Sequence, residues 1–286
     1  MSGWRSIAQP GPVAPDRIVA VATRLRPLQL DMPRGMTLLQ GIATQVQALG
    51  LDSAVFRFSG AFDPFAWVMP ARASDNRHAA WYSDVFRADA PVRVLAGALT
   101  FGTRDGQPFY HAHGIWRLAG GALAAGHLLP DVVTSAADVT LTGVGLCDAR
   151  FAVVPDPETG FSLFEPQPLR VPPHCDGWAL RLRPDQDITR ALVQVATARG
   201  IVRARLQGGV GSLVGARFSD GTPPVPGFAT EMFVDEALIT PGVSSRVAAH
   251  VVDLDGRIGH GVLAEGCNPV LMTLEAVLED LGPVAG

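Results

Sequence analysis

The chain has 286 residues and a net charge of −4, and its 23 basic residues are all arginine. Without lysine there is no Schiff-base nucleophile and no P-loop, and the scattered arginines form no stripe dense enough for non-specific nucleic-acid binding. Hydrophobic residues make up 48%, which supplies a core and argues against disorder, while no window approaches the roughly 20 apolar residues that span a bilayer.

The opening stretch, "MSGWRSIAQPGPVAPDR", lacks the apolar middle of a signal peptide. Cys147, Cys175 and Cys267 are odd in number and share no metal-like spacing. Both features point to a cytoplasmic protein with reduced thiols. At 24–27 stands "RLRP", followed from Met36 by "MTLLQGIATQVQALGLDSAVFRF". Apolar residues at helical spacing predict a helix that stops at Gly50, with a strand after it. Strands then follow at "VRVLAGALTF", "FYHAHGIW" and "VTLTGV", the second leading into a glycine turn at Gly120 and Gly121.

The series then repeats. "RLRP" returns at 181–184, a helix starts after Asp187 as N-cap and stops at Gly200, and "IVRARL" is the next strand. "DEALITPGV", "AAHVVDLDGRIG" and "MTLEAVL" match the later strands of the first series. Strands joined mostly by hairpins, with one long helix per series, predict an α+β protein. The expected architecture is two tandem copies of a compact mixed or antiparallel β-sheet domain with one main helix each. The units are placed at 16–155 and 176–286, joined by a proline-rich linker at 156–175.

Three of the seven histidines fall in one predicted hairpin. His111 and His113 are two apart on a strand and share a face. If the hairpin is centred on Gly120, His127 lies opposite His113, with Cβ atoms about 4.5–5.5 Å apart. Three imidazoles on one face form the ligand set of an open tetrahedral zinc site. Nickel, copper and iron also accept imidazole, so the expected cofactor is zinc or another divalent transition metal, against the plainer reading of ordinary strand histidines with His127 unrelated. The second copy has Ala248 where the first has His111. His250 and His260 face each other only if a three-residue turn at 254–256 joins their strands, and two histidines alone make a poor zinc site. They remain a candidate second site.

The pattern "G-x-P-x-x-H-x-H … G-H-L", with "RLRPDQDITRALVQVATARGIVRARLQGGVGSLVGARFSDG", resembles the plant and prokaryote conserved (PPC) domain. The resemblance covers most of both halves and implies a tandem PPC protein. It further implies a compact α+β fold that assembles as trimers. The zinc-holding histidine triad of some bacterial and archaeal members maps onto His111, His113 and His127. The fold is also similar to that of acetolactate decarboxylases, which bind zinc with a comparable triad. The second copy departs from the pattern at Ala248, so it is expected to be structural or to complete a pocket made by the first.

Other candidates are weaker. Glu231, Asp235 and Glu236 could supply a general base near a metal, although surface strand carboxylates are commoner. Arg87 and Arg93 are candidate anion-binding residues. Asp253 and Asp255 read as turn residues, and His78 and His174 as solvated loop residues. "GGVGSLVG" from Gly208 reads as a tight turn, because no lysine follows it. Three functions stay open: a zinc-dependent lyase or hydrolase, or a sensor, for a small oxo- or hydroxy-acid; a PPC-type DNA-binding module; and an oligomerisation module without activity. The sequence offers only "PRGM" at 33–36 in place of an AT-hook, so nucleic acid is disfavoured as a partner.

Overall fold

The computed structural model describes residues 6–283. Its first half runs β1 (Ile18–Thr23), β2 (Leu25–Met32), α1 (Leu38–Ala48), β3 (Ala54–Phe62), β4 (Ala66–Val68), β5 (Pro70–Ala71), β6 (Trp81–Tyr82), β7 (Phe86–Arg87), β8 (Val92–Arg104), β9 (Gln107–Arg117), β10 (Leu123–Leu128), β11 (Val139–Leu146), β12 (Ala149–Pro155) and β13 (Ser162–Pro168). The second half runs β14 (Gly177–Leu182), α2 (Ile188–Ala198), β15 (Ala204–Leu213), β16 (Thr230–Thr240), β17 (Ser244–Asp253), β18 (Ile258–Val262) and β19 (Val270–Asp280).

The helices start and stop as their sequences dictate. The Thr37 hydroxyl accepts from Gln40 N, and the Asp187 carboxylate accepts from Arg190 N, so each cap satisfies a free amide of the first turn. Gly50 and Gly200 follow the C-caps at φ +70° and +65°, where a side chain would be strained. The apolar stripe of α1, Leu38, Ile42 and Val46, is buried in one core; Ile188, Leu192 and Val195 of α2 are buried in another.

Two sheets carry these helices. One has the order β2-β11-β3-β8-β9-β10-β4-β7, and the other β1-β14-β19-β15-β16-β17-β18. The run β2-β11-β3-β8-β9-β10 corresponds strand for strand to β14-β19-β15-β16-β17-β18. The fold is therefore α+β, with one mainly antiparallel sheet and one main helix in each copy. Two apolar clusters join the copies. Val55, Phe151 and Val144 pack with Ala179 and Val277, and Ala98, Ile115 and Ala125 pack with Val210, Phe233 and Val252.

Two boundaries and one repeat correspondence differ from the sequence reading. β1, inside the expected 16–155 unit, pairs with β14 in the second copy's sheet, Ile18 opposite Leu182. The expected linker at 156–175 contains β13, which forms a ladder with β12. The two "RLRP" stretches are not equivalent: the first opens β2, whereas the second spans the end of β14. Their environments differ accordingly. Arg181 is fully buried and ion-paired to Asp156 and Glu165, whereas Arg24 is partly exposed and clasps Asp148. Among the described residues, no helix is long and apolar enough to cross a membrane, and all three cysteines are free.

Candidate functional site

The β9–β10 hairpin has the predicted register, with His113 opposite His127. Strand period two puts His111 on the same face as His113. His111 Nε2 lies 2.9 Å from His113 Nε2, and His113 Nε2 lies 3.3 Å from His127 Nδ1. Two nitrogens bound to one zinc at about 2.0–2.1 Å in tetrahedral geometry would stand about 3.3 Å apart. These two separations fit that requirement, and all three nitrogens lie within 4.8 Å of one another.

The remaining ring nitrogens fix the tautomers. His113 Nδ1 donates to the Met232 carbonyl at 2.8 Å, and His111 Nδ1 pairs with the Glu275 carboxylate at 2.6 Å. A carbonyl can only accept, so His113 carries its hydrogen on Nδ1 and turns the Nε2 lone pair inward. Glu275 asks the same of His111. Two such lone pairs 2.9 Å apart repel unless a proton or a cation lies between them. An outer acceptor of this kind, which His111 and His113 each have, is the usual support of a metal-ligating histidine.

Both outer partners come from the second copy, as does Glu231, whose Oε2 lies 3.1 Å from His113 Nε2. Glu231 is the one of the three candidate carboxylates that reaches the triad. Burial, moderated by His111 and reinforced by Glu275, pushes its carboxyl up to about 8. A carboxyl raised in this direction can hold or release a proton beside the histidines. Burial, and then the charge of His111, holds His113 and His127 well below the ordinary imidazole value. Burial opposes charge on His111 too, but Glu275 outweighs it and raises that imidazole. Glu275 itself carried no sequence signal, because it lies 164 residues from its partner within an apolar strand.

Beside the triad is a cavity of about 390 Å³ lined by His111, His127, Glu275, Tyr82 and Arg104, with apolar walls that include Phe109, Leu129 and Phe164. The Tyr82 ring sits edge-on to His127, with ring centroids 5.4 Å apart. Neither Arg87 nor Arg93 lines this cavity. Arg87 is exposed on the short β7, paired with Ala66, and Arg93 pairs with Arg117 across the β8–β9 ladder. Arg104, at the end of β8 with its guanidinium 3.8 Å over the Phe109 ring, is the cation at the cavity.

The second copy repeats the hairpin. His250 lies opposite His260, and Asp253 N donates to Arg257 O across the three-residue turn. Asp253 caps that turn through Asp255 N and Arg257 N. Asp235 reaches His260 Nε2 at 3.1 Å, whereas Glu236 points to an exposed pair with Arg246. His174 is exposed, but His78 is not a free loop residue. It packs against Trp81 and Phe161 at 4.4 and 5.0 Å between ring centroids.

No protein-family model matches the chain. No curated protein matches it in sequence. Among solved structures it is similar to a plant- and prokaryote-conserved (PPC) protein from Pyrococcus horikoshii, with 19% identity and a TM-score of 0.41 over 50% of this chain and 94% of that one. A metal-containing protein from Archaeoglobus fulgidus matches at 18% identity and a TM-score of 0.41, over 51% of this chain and 98% of its own. A candidate DNA-binding protein from Ralstonia eutropha matches at 20% identity and a TM-score of 0.38, over 48% of this chain and 89% of its own. Over about half of its length, then, the chain is similar to PPC proteins, one neighbour being described as metal-containing and another as a candidate DNA-binding protein.

Proposed function

We propose that the protein holds one divalent transition metal, zinc first, through His111, His113 and His127, and that it binds a small oxo- or hydroxy-acid in the adjoining cavity. The observation that carries this reading is the convergence of three imidazole nitrogens, with the outer nitrogens of His111 and His113 taken up by fixed partners. A metal ligated by three histidines supplies Lewis-acid chemistry to a carbonyl or a water at its open position. Around it, Arg104 would hold the carboxylate of the ligand, Tyr82 and Phe109 would exclude water from its apolar part, and Glu231 would move a proton. Lyase or hydrolase chemistry fits these roles, as does sensing of the acid without turnover. The decarboxylase analogy rests on fold resemblance alone.

The test is metal content. Elemental analysis of the wild type and of His113→Ala, purified under matched conditions, should give about one equivalent fewer in the variant. Equal occupancy in both overturns the assignment. Self-association, most simply as a trimer, is a second part of the proposal. It is favoured by the exposed apolar side chains of Trp81, Val85 and Phe86 at and before the edge strand β7.

A further inference from the structure

We propose that the second copy carries its own metal site, formed by His250, His260 and Asp235, separate from the triad and independent of its metal. The β17–β18 ladder sets His250 against His260 in the relation that β9–β10 gives His113 and His127. The third ligand of the first copy has no counterpart on β17, where Ala248 stands. It is replaced from the neighbouring strand. The β16–β17 register shifts between Val234 and Glu236, leaving Asp235 out of the ladder. A bulge of this kind re-aims one side chain, and the Asp235 carboxylate meets His260 Nε2 at 3.1 Å. One ligand atom from each of the three residues lies within 4.8 Å of the others.

A second observation points to a ligand. His250 Nδ1 is buried and has no hydrogen-bond partner. A buried polar atom left unpaired is costly, which singles out this ring in the hairpin. The two rings stack at 3.9 Å with planes 10° apart. Parallel rings aim their in-plane lone pairs alongside each other, so coordination requires one ring to turn. His260 has the freedom to do so, since its side chain is 48% exposed against 41% for Asp235.

The donor set differs from that of the triad. Two imidazoles and one carboxylate, open to solvent on the far side, suit iron(II), cobalt(II), manganese(II) and zinc. Arg57 faces the same cluster from the first copy. Its guanidinium donates to Val234 O and acts electrostatically with both Asp235 and His250. A fixed cation opposes a second one, so this site should bind more weakly than the triad.

The experiment uses the full chain, stripped of metal and titrated with cobalt(II) while visible absorption is read. The wild type should take up two equivalents, the weaker with a five- or six-coordinate spectrum of low intensity. Asp235→Asn and His260→Ala, both at exposed positions, should each abolish the weaker equivalent and leave the tighter one intact. His113→Ala should do the reverse. A wild type that binds a single equivalent untouched by Asp235→Asn overturns this proposal and leaves the triad standing. A single equivalent lost on Asp235→Asn but kept in His113→Ala overturns the triad and leaves this site standing. Circular dichroism of each variant keeps loss of metal distinct from loss of fold.

Discussion

Replacing Glu275 by glutamine should weaken metal binding at a site to which Glu275 contributes no ligand. The carboxylate is 1% exposed, lies 2.6 Å from His111 Nδ1 and also accepts from the Thr273 hydroxyl at 3.0 Å. Its negative charge raises the basicity of His111 and holds the hydrogen on Nδ1. Glutamine keeps the shape and loses the charge, and its amide hydrogens compete to reverse the tautomer. Outer partners of ligating histidines are worth about 10–100-fold in metal affinity, or about 1.4–2.8 kcal/mol at 1.4 kcal/mol per decade. The short bond and deep burial place Glu275→Gln toward the upper end, roughly 30–100-fold. Competition against a chromophoric zinc chelator, with the fold monitored by circular dichroism, measures this. Glu279→Gln on the same strand removes a surface pair with Arg205 and serves as the control, with no expected change. A Glu275→Gln protein that folds and binds zinc within about threefold of the wild type would refute the role given to this carboxylate.

Asp148 is buried and ties the crossover between the copies. Its carboxylate accepts from Arg24 N, the Arg24 guanidinium and Arg170. The Arg24 guanidinium, and after it the backbone and Arg170 hydrogen bonds, hold the group far below the ordinary aspartate value against the cost of burial. A depressed folded pKa stabilises above the unfolded value of about 3.9 and loses that contribution as pH falls below it. Asp148→Asn should therefore lower Tm at pH 7, and the gap from the wild type should shrink below about pH 4; a gap constant with pH would count against the ion pair. Static light scattering at micromolar concentration should report three times the 30.1 kDa of one chain, and a monomer mass would defeat self-association. Fluorescence anisotropy with a labelled duplex at about 150 mM salt should show no binding at low micromolar protein. A salt-dependent rise would restore a nucleic-acid role.

The sequence by itself determined what lies within one hairpin or one helix. Asp187, Gly50 and Gly200 bound the helices because capping and left-handed backbone are local requirements. The side-chain period of two and a glycine turn place His111, His113 and His127 on one face, and the same arithmetic sets His250 against His260. Only the tertiary structure decided what closes over those histidines. Glu275 and Met232 belong to strands of the other copy, and they reach the triad through the packing of two sheets, which leaves no periodic mark in the sequence. The same holds for β1, a continuous apolar run that carries no mark of either sheet and joins the second. Arg104 lines the cavity beside the triad where Arg87 and Arg93 do not, because a cavity wall is a property of several strands at once. Asp235 joins the second cluster through a bulge, a one-residue departure from the regular ladder that no periodic pattern of side chains records.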